Sequence, residues 1–268
     1  MTTSPYPSTT KPTILTFHGS GSNSTVHTVQ LARLGRLLKP HFDLLTLEAP
    51  FPSAAGPGVL PFFEGCGPFK RWIPPSEKVS FDGIKKGEAS GAMLKEVEDL
   101  IKQTVEDVRR KGGRVVGVVG FSQGTRVVAG LLKGSEIRKR LAGDGDGEGV
   151  NWCDFAFAVS VCGSYPPPLL PPSVSKLLDA SSLSGEEKTR LQESRIESPT
   201  LHVLGKQDEW EWAGHLLIEG CYEKGEGKSE EVSFDMGHHY PVLPEDSELI
   251  RDWVMRTWER VEGGVEKR

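Results

Sequence analysis

The chain lacks any run of apolar residues long enough to cross a bilayer, and its first stretch, Thr2 to Pro12, is rich in Ser, Thr and Pro without the apolar centre of a signal peptide. Neither a membrane partner nor a secretory leader is expected. Its four cysteines, Cys66, Cys153, Cys162 and Cys221, show no Cys-x-x-Cys spacing. That argues against a disulfide framework and a zinc site, and points to reduced thiols in the cytoplasm. Positive charge is scarce as well: the formal net charge is -5, and Lys and Arg gather only in short clusters such as Arg109-Arg110-Lys111 and Arg138-Lys139-Arg140. A nucleic-acid partner needs a basic face, so none is expected. Two ligand loops fail on single residues. Gly19-Ser20-Gly21-Ser22-Asn23 ends on Ser24 where a dinucleotide loop needs Gly, and the acidic Gly143 to Gly149 stretch has Phe155 where a calcium loop needs its last carboxylate. That stretch reads as a flexible surface insertion.

What is present is a β-branched run, Val115-Val116-Gly117-Val118-Val119, leading into Gly120-Phe121-Ser122-Gln123-Gly124, after which Val127, Val128, Leu131 and Leu132 recur at helical spacing. Strand, sharp turn and helix are the context in which Gly-x-Ser-x-Gly lifts a hydroxyl above the carboxyl edge of a parallel sheet. The Gln123 amide, at the start of the helix, is then available to an oxyanion. The plain alternative is a βα turn in which Ser122 only caps the helix.

Other strands come in a matching order. Thr13 to Phe17 ends in His18-Gly19-Ser20, where a second oxyanion amide is expected from Ser20 and where His18 braces the loop. A helical pattern follows over 24–39, then a strand over 42–47. From Phe51 to Pro75 the chain is dense in Pro and Gly and carries Phe62, Phe63, Phe69 and Trp72, an irregular segment expected to cap the site and line an acyl pocket. Apolar spacing predicts a helix over 92–111. A buried strand at 155–163 leads through Cys162, read as core filler, to the Pro-rich loop 165–172. The strand 199–205 delivers Asp208 to the position where an acid orients a histidine. The last short strand, 232–234, precedes Gly237-His238-His239-Tyr240-Pro241 and a closing helix over 246–260. The order Ser, Asp, His is that of α/β-hydrolases. Adjacent side chains do not both face one hydroxyl, so only one of His238 and His239 is the base, and the residues alone leave the choice open.

Leu15-Thr16-Phe17-His18-Gly19, Ala49-Pro50, Trp72, Gly120 to Gly124, Gly205-Lys206-Gln207-Asp208 and Gly237 to Pro241 together resemble a fungal family of small serine hydrolases related to the off-loading thioesterases of polyketide gene clusters. The resemblance covers most of the chain. It implies that the histidine directly after Gly is catalytic, which selects His238. It also implies substrates that are short esters or acyl thioesters of carrier proteins, in secondary metabolism based on polyketides or polyketide/amino-acid hybrids. The chain departs from that pattern at Met236-Gly237, where Gly-Gly is frequent, and in longer loops at 142–150 and 166–172.

The expectation is an α/β-hydrolase fold with a mostly parallel sheet flanked by helices: a flexible tail over 1–11 and one domain over 12–268, with residues 51–90 as its cap. Ser122, Asp208 and His238 form the triad, the Ser20 and Gln123 amides the oxyanion hole, and Phe62, Phe63, Phe69 and Trp72 the substrate wall. No metal or organic cofactor is required. The partner is a small acyl ester or thioester, or an acyl chain on a carrier protein. A general carboxylesterase is one rival reading. The other is a non-catalytic relative that binds an acyl or polyketide chain and assists its cyclisation.

Overall fold

A computed structural model describes residues 10–77, 79–142 and 150–265. The acidic 143–149 stretch and most of the expected tail lie outside the described residues. Six strands form one parallel sheet in the order β2-β1-β5-β6-β7-β8: β1 (Thr13–Phe17), β2 (Asp43–Leu47), β5 (Val115–Phe121), β6 (Phe157–Val161), β7 (Thr200–Gly205) and β8 (Ser229–Phe234). A separate antiparallel pair joins β3 (Phe51–Ser53) to β4 (Phe69–Arg71). Every residue of β1, β5, β6 and β7 is buried, because helices cover both faces, and this is why their sequences run apolar without alternation. The two edge strands, β2 and β8, expose alternate residues instead.

Helices α1 (Ser24–Gln30), α2 (Ala32–Leu38), α3 (Phe81–Lys85), α4 (Lys95–Arg110), α5 (Gly124–Ala142), α6 (Pro172–Ala180), α7 (Gly185–Glu193), α8 (Glu211–Cys221) and α9 (Pro244–Val265) complete the chain. The helical pattern over 24–39 is divided at Leu31, which closes α1 and opens α2. On one face of the sheet, Leu15, Phe17 and Val118 pack with Val97, Ile101 and Val105 of α4 and with Val127, Val128 and Leu131 of α5. On the other, Ile14, Val116, Val119 and Phe157 pack with Leu34 and Leu38 of α2 and with Ile250, Trp253 and Trp258 of α9. Each such side chain contributes about 1.5–3 kcal/mol of hydrophobic stabilisation. A register shift between Thr13 and Ile14 along β1 skips Val116 of β5. The shift puts Val116 and Gly117 on one face and restores alternation from Val118 onward.

Strand order sets the site. The chain leaves β1 for β2 on one side and returns to β5 on the other, so the carboxyl ends of β1 and β5 flank a topological switch point, where open α/β sheets bind ligands. The loop after β1 carries Ser20, and the turn after β5 carries Ser122.

Candidate active site

Ser122 adopts φ 49, a left-handed conformation rare outside glycine, at the tip of the turn between β5 and α5. The turn is locked from both ends. The Ser122 amide donates to the Val161 carbonyl at 3.0 Å, extending the pairing of β5 with β6. The Ser122 carbonyl accepts from the Thr125 amide at 2.9 Å and the Thr125 hydroxyl at 2.7 Å. The two motif glycines admit no side chain: a Cβ at Gly120 would lie 2.8 Å from the Gly124 carbonyl oxygen, and one at Gly124 only 2.3 Å from that of Phe17. Gly-x-Ser-x-Gly is thus the sequence form of a helix pressed against two strand ends. The Ser122 hydroxyl is half-buried and makes no hydrogen bond among the described residues.

Asp208 lies just past β7 and His238 past β8. Their loops are tied to one another by the Lys206 and Gln207 amides, which donate to the Phe234 and Met236 carbonyls at 3.0 Å each. His238 Nδ1 meets Asp208 Oδ2 at 2.8 Å, and Asp208 Oδ1 accepts the Trp210 amide at 2.8 Å. Burial pushes the Asp208 carboxyl upward, but the His238 bond, the Trp210 amide and the neighbouring thiol outweigh it and hold the group below its ordinary value. With Nδ1 donating to a carboxylate, His238 keeps its lone pair on Nε2. Its ring packs on Phe121, the residue before Ser122, with centroids 5.1 Å apart. His239 folds back on its own loop: Nε2 accepts the Gly237 amide at 3.3 Å, so Nδ1 donates to the Tyr240 carbonyl at 2.8 Å. Of the two histidines, His238 is the one paired with the acid.

The loop after β1 is braced from behind. His18 Nε2 accepts the Ala49 amide at 3.1 Å, which leaves Nδ1 protonated and donating to the Gly19 carbonyl at 2.7 Å. Burial lowers the His18 pKa, against the Gly19 bond and the charge of Glu48. Because a trans peptide points its C=O and N–H in opposite directions, fixing the Gly19 carbonyl toward the His18 ring turns the Ser20 amide away from it. A Cβ built on Gly19 would sit 3.2 Å from the Ser122 Cβ, so this loop borders the hydroxyl. The Ser20 and Gln123 amides make no hydrogen bond to the protein among the described residues.

The expected aromatic wall does not assemble as one surface. Trp72 is 1% exposed and belongs to the core against Phe17 and His18. Its indole N–H donates to the His18 carbonyl and its amide to Gln123 Oε1, both at 2.8 Å. It braces the β1 loop, an assignment its place in a Pro/Gly-rich stretch concealed. Phe62 is 85% exposed, whereas Phe63 and Phe69 are half-buried. The segment is tied to the loop after β1 and to α5: Gly56 donates to the Gly21 carbonyl at 2.9 Å, and Arg126 of α5 binds the Ser90 carbonyl and, beyond the segment, that of Pro167. A surface cleft of about 540 Å³, lined by Thr28, Leu31, Gly35, Leu44 and Thr46, lies away from Ser122 and brings no reactive group together.

Cys162, expected as core filler, shares the site. It has φ 46, and its Sγ lies 3.6 Å from the His239 carbonyl and 3.8 Å from that of Gly237. Cys162, Asp208 and His238 place ligand atoms within 4.8 Å of one another, a set able in number to hold a metal. Two of those atoms already bond each other as an Asp–His pair, however, and the thiol is ringed by acceptors. Burial, followed by the Asp208 charge, pushes that thiol well above its ordinary pKa, so it remains an S–H donor and not the thiolate a metal wants.

A strained serine on a strand-to-helix turn, an Asp-bound histidine and two unengaged amides at one sheet edge define a serine hydrolase of the α/β-hydrolase fold. The chain belongs to the family described as serine hydrolase (FSH1), whose model matches residues 8–249. It is 29% identical to the esterase FUS5 of Gibberella moniliformis, over 92% of this chain and 88% of that protein. It is 27% identical to the thioesterase FSL2 of Gibberella zeae, over 92% of this chain and 93% of that one. Among solved structures, Arabidopsis thaliana SOBER1 superposes with a TM-score of 0.50, over 92% of this chain and 99% of that chain, a likeness of fold. Among the described residues, no helix is long and apolar enough to cross a membrane.

Proposed function

We propose that the protein hydrolyses acyl esters or thioesters through Ser122, His238 and Asp208. Ser122 Oγ attacks the acyl carbonyl as His238 Nε2 takes its proton. The Ser20 and Gln123 amides receive the oxyanion, and His238 returns the proton to the leaving oxygen or sulfur. Water then attacks the acyl-enzyme by the same route. Asp208 fixes the imidazole tautomer and stabilises the imidazolium. The observation that carries this reading is the 2.8 Å Asp208–His238 pair at the sheet edge that holds the strained Ser122. The fungal esterase and thioesterase relatives support an acyl substrate, and we place it in secondary metabolism, as a released ester or an acyl chain on a carrier protein.

A fluorophosphonate probe tests the reading. The wild type is expected to be labelled at Ser122, and Ser122→Ala to lose both labelling and ester hydrolysis, with turnover down by about 10⁶. Labelling that persists in the Ala variant would assign the nucleophile elsewhere. Binding of acyl chains without turnover would favour the non-catalytic binder, and a preference for acetyl esters with no thioester turnover a general carboxylesterase.

A further inference from the structure

Phe81, Trp210 and Trp212 form an aromatic cluster that the proposed mechanism does not use. Phe81 opens α3, in the covering segment, and its ring lies nearly flat on Trp210, with centroids 5.3 Å apart and planes 14° from parallel. Trp212 completes the cluster at 6.1 Å from Phe81 and 6.3 Å from Trp210. One face of Phe81 is therefore occupied, yet the residue is 57% exposed, which leaves its other face open to water. Anchoring α3 does not account for the exposed ring. Ile84 is buried and fixes that helix, and the Ser80 hydroxyl caps it by accepting the Gly83 amide at 3.0 Å. A large flat apolar surface left open beside a reactive centre is the mark of a binding site.

Its position ties it to the chemistry. The Trp210 amide donates to the oxygen of Asp208 that His238 does not use, so the stack begins two residues past the acid, on the carboxyl edge that holds Ser122. The stack therefore belongs to the loop of the acid, and the acyl arm it would serve is one directed from Ser122 past the imidazole toward α3. The surroundings select against a charged ligand. The Lys85 ammonium is already engaged 5.7 Å above the Trp212 ring, and Glu209 and Glu211 flank Trp210 in the chain, which disfavours a nucleotide or other phosphate.

We propose that the stack is a subsite for a planar, conjugated part of the acyl group, an aromatic or enoyl chain that lies flat on Phe81. This rests on the acyl ester or thioester reading above. Offset stacking rewards a planar π partner over a saturated chain of equal size, because only the former presents a flat face and a matching quadrupole.

The test compares N-acetylcysteamine thioesters of cinnamic acid, 3-cyclohexylpropanoic acid and acetic acid in the wild type, Phe81→Ala and Phe81→Leu. Each substrate is compared with itself across variants, so its intrinsic reactivity cancels. In both variants kcat/KM for the cinnamoyl thioester is expected to fall roughly 3- to 10-fold, the scale of one aromatic stack, while the other two stay within about twofold. An equal fall for all three would make Phe81 a latch for the covering segment and overturn the subsite, as would no change in any. A Ser122→Ala control separates the two readings. If it still turns over the acetyl thioester, the serine mechanism fails whatever Phe81 does; if it is inactive, the Phe81 pattern alone decides the subsite.

Discussion

The loops on the carboxyl edge and the segment that covers them are held in different ways. The loops of Ser122, Asp208 and His238 each continue a strand and are bonded to a neighbour's continuation. Ser122 donates to Val161, Cys162 to Val203, and Gln207 to Met236, all main chain to main chain at 2.9–3.0 Å. The segment from Phe51 to Leu94 has one short antiparallel pair and one five-residue helix, and is joined to the rest by scattered bonds, main chain at Gly56–Gly21, Lys70–Ser22 and Met93–Leu170 and side chain elsewhere. Among the side-chain ties, Asn23 Nδ2 reaches the Cys66 carbonyl at 2.6 Å, Gln123 Oε1 takes the Trp72 amide, and Arg126 holds the Ser90 carbonyl. Strand-end bonds hold the Ser122, Asp208 and His238 loops, whereas the loop that carries Ser20 and the segment from Phe51 to Leu94 depend on scattered main-chain bonds and on the side chains of His18, Trp72, Gln123 and Arg126. Substitutions in the segment from Phe51 to Leu94 are therefore expected to cost less than substitutions at the triad.

Breaking the rigid half should cost most. Asp208→Asn keeps the shape of the loop but leaves the imidazole free to adopt the wrong tautomer, and kcat is expected to fall by up to about 10⁴ with the thermal transition little changed. A near-normal kcat would move the orienting acid to another residue. Acid should break the same half without a mutation. His27, under the β1 loop, and His202, within β7, are stripped of solvent by burial, which pushes both imidazoles down to about 3. Unfolded, each takes a proton near 6.5, so the unfolded state binds more protons throughout the window between those values. Stability is thus full above about pH 6.5 and falls toward pH 3 by about 1.4 kcal/mol per pH unit for each histidine. Urea melts at pH 7, 5.5 and 4.5 read this directly. A flat profile down to pH 4.5 would mean that these sites open to water and charge at little cost.

The same contrast explains what was legible in the sequence. Ser122 stood out because an elbow writes its geometry into five consecutive residues, and Asp208 because a strand end plus an acid is also local. Between His238 and His239 spacing had no vote. The choice depends on which ring meets a carboxylate thirty residues earlier, so resemblance was needed to make it. Trp72 was misread as pocket wall because its partners, the His18 carbonyl and the Gln123 carboxamide, lie 54 and 51 positions away. The cluster of Phe81 with Trp210 and Trp212 escaped notice for the same reason, since nothing in either stretch announces the other. Helices α6 and α7 were legible too, from Val174, Leu177 and Leu178 at helical spacing after Pro172 and from the Ser184-x-x-Glu187 capping box, although both lie beside Pro-rich and charged stretches that read as loop.

The smallest effects test whether the cover really divides into a brace and an exposed rim. Trp72→Phe keeps an aromatic ring against Phe17, at the cost of some buried volume, and removes the N–H that holds the His18 carbonyl, loosening the peptide next to the one that carries the Ser20 amide. Direct loss of an oxyanion donor costs about 10²–10³ in kcat, so indirect loosening is expected to cost roughly 10-fold, in kcat and not in KM, on acetyl and long-chain substrates alike. Phe62→Ala, at a residue 85% exposed, is expected to change kcat and KM by less than about twofold. Steady-state kinetics on one short and one long thioester decide between the two. Should Phe62→Ala raise KM for the long substrate while Trp72→Phe leaves kcat intact, the covering segment would close on its substrates through Phe62, and the brace assigned to Trp72 would be packing alone.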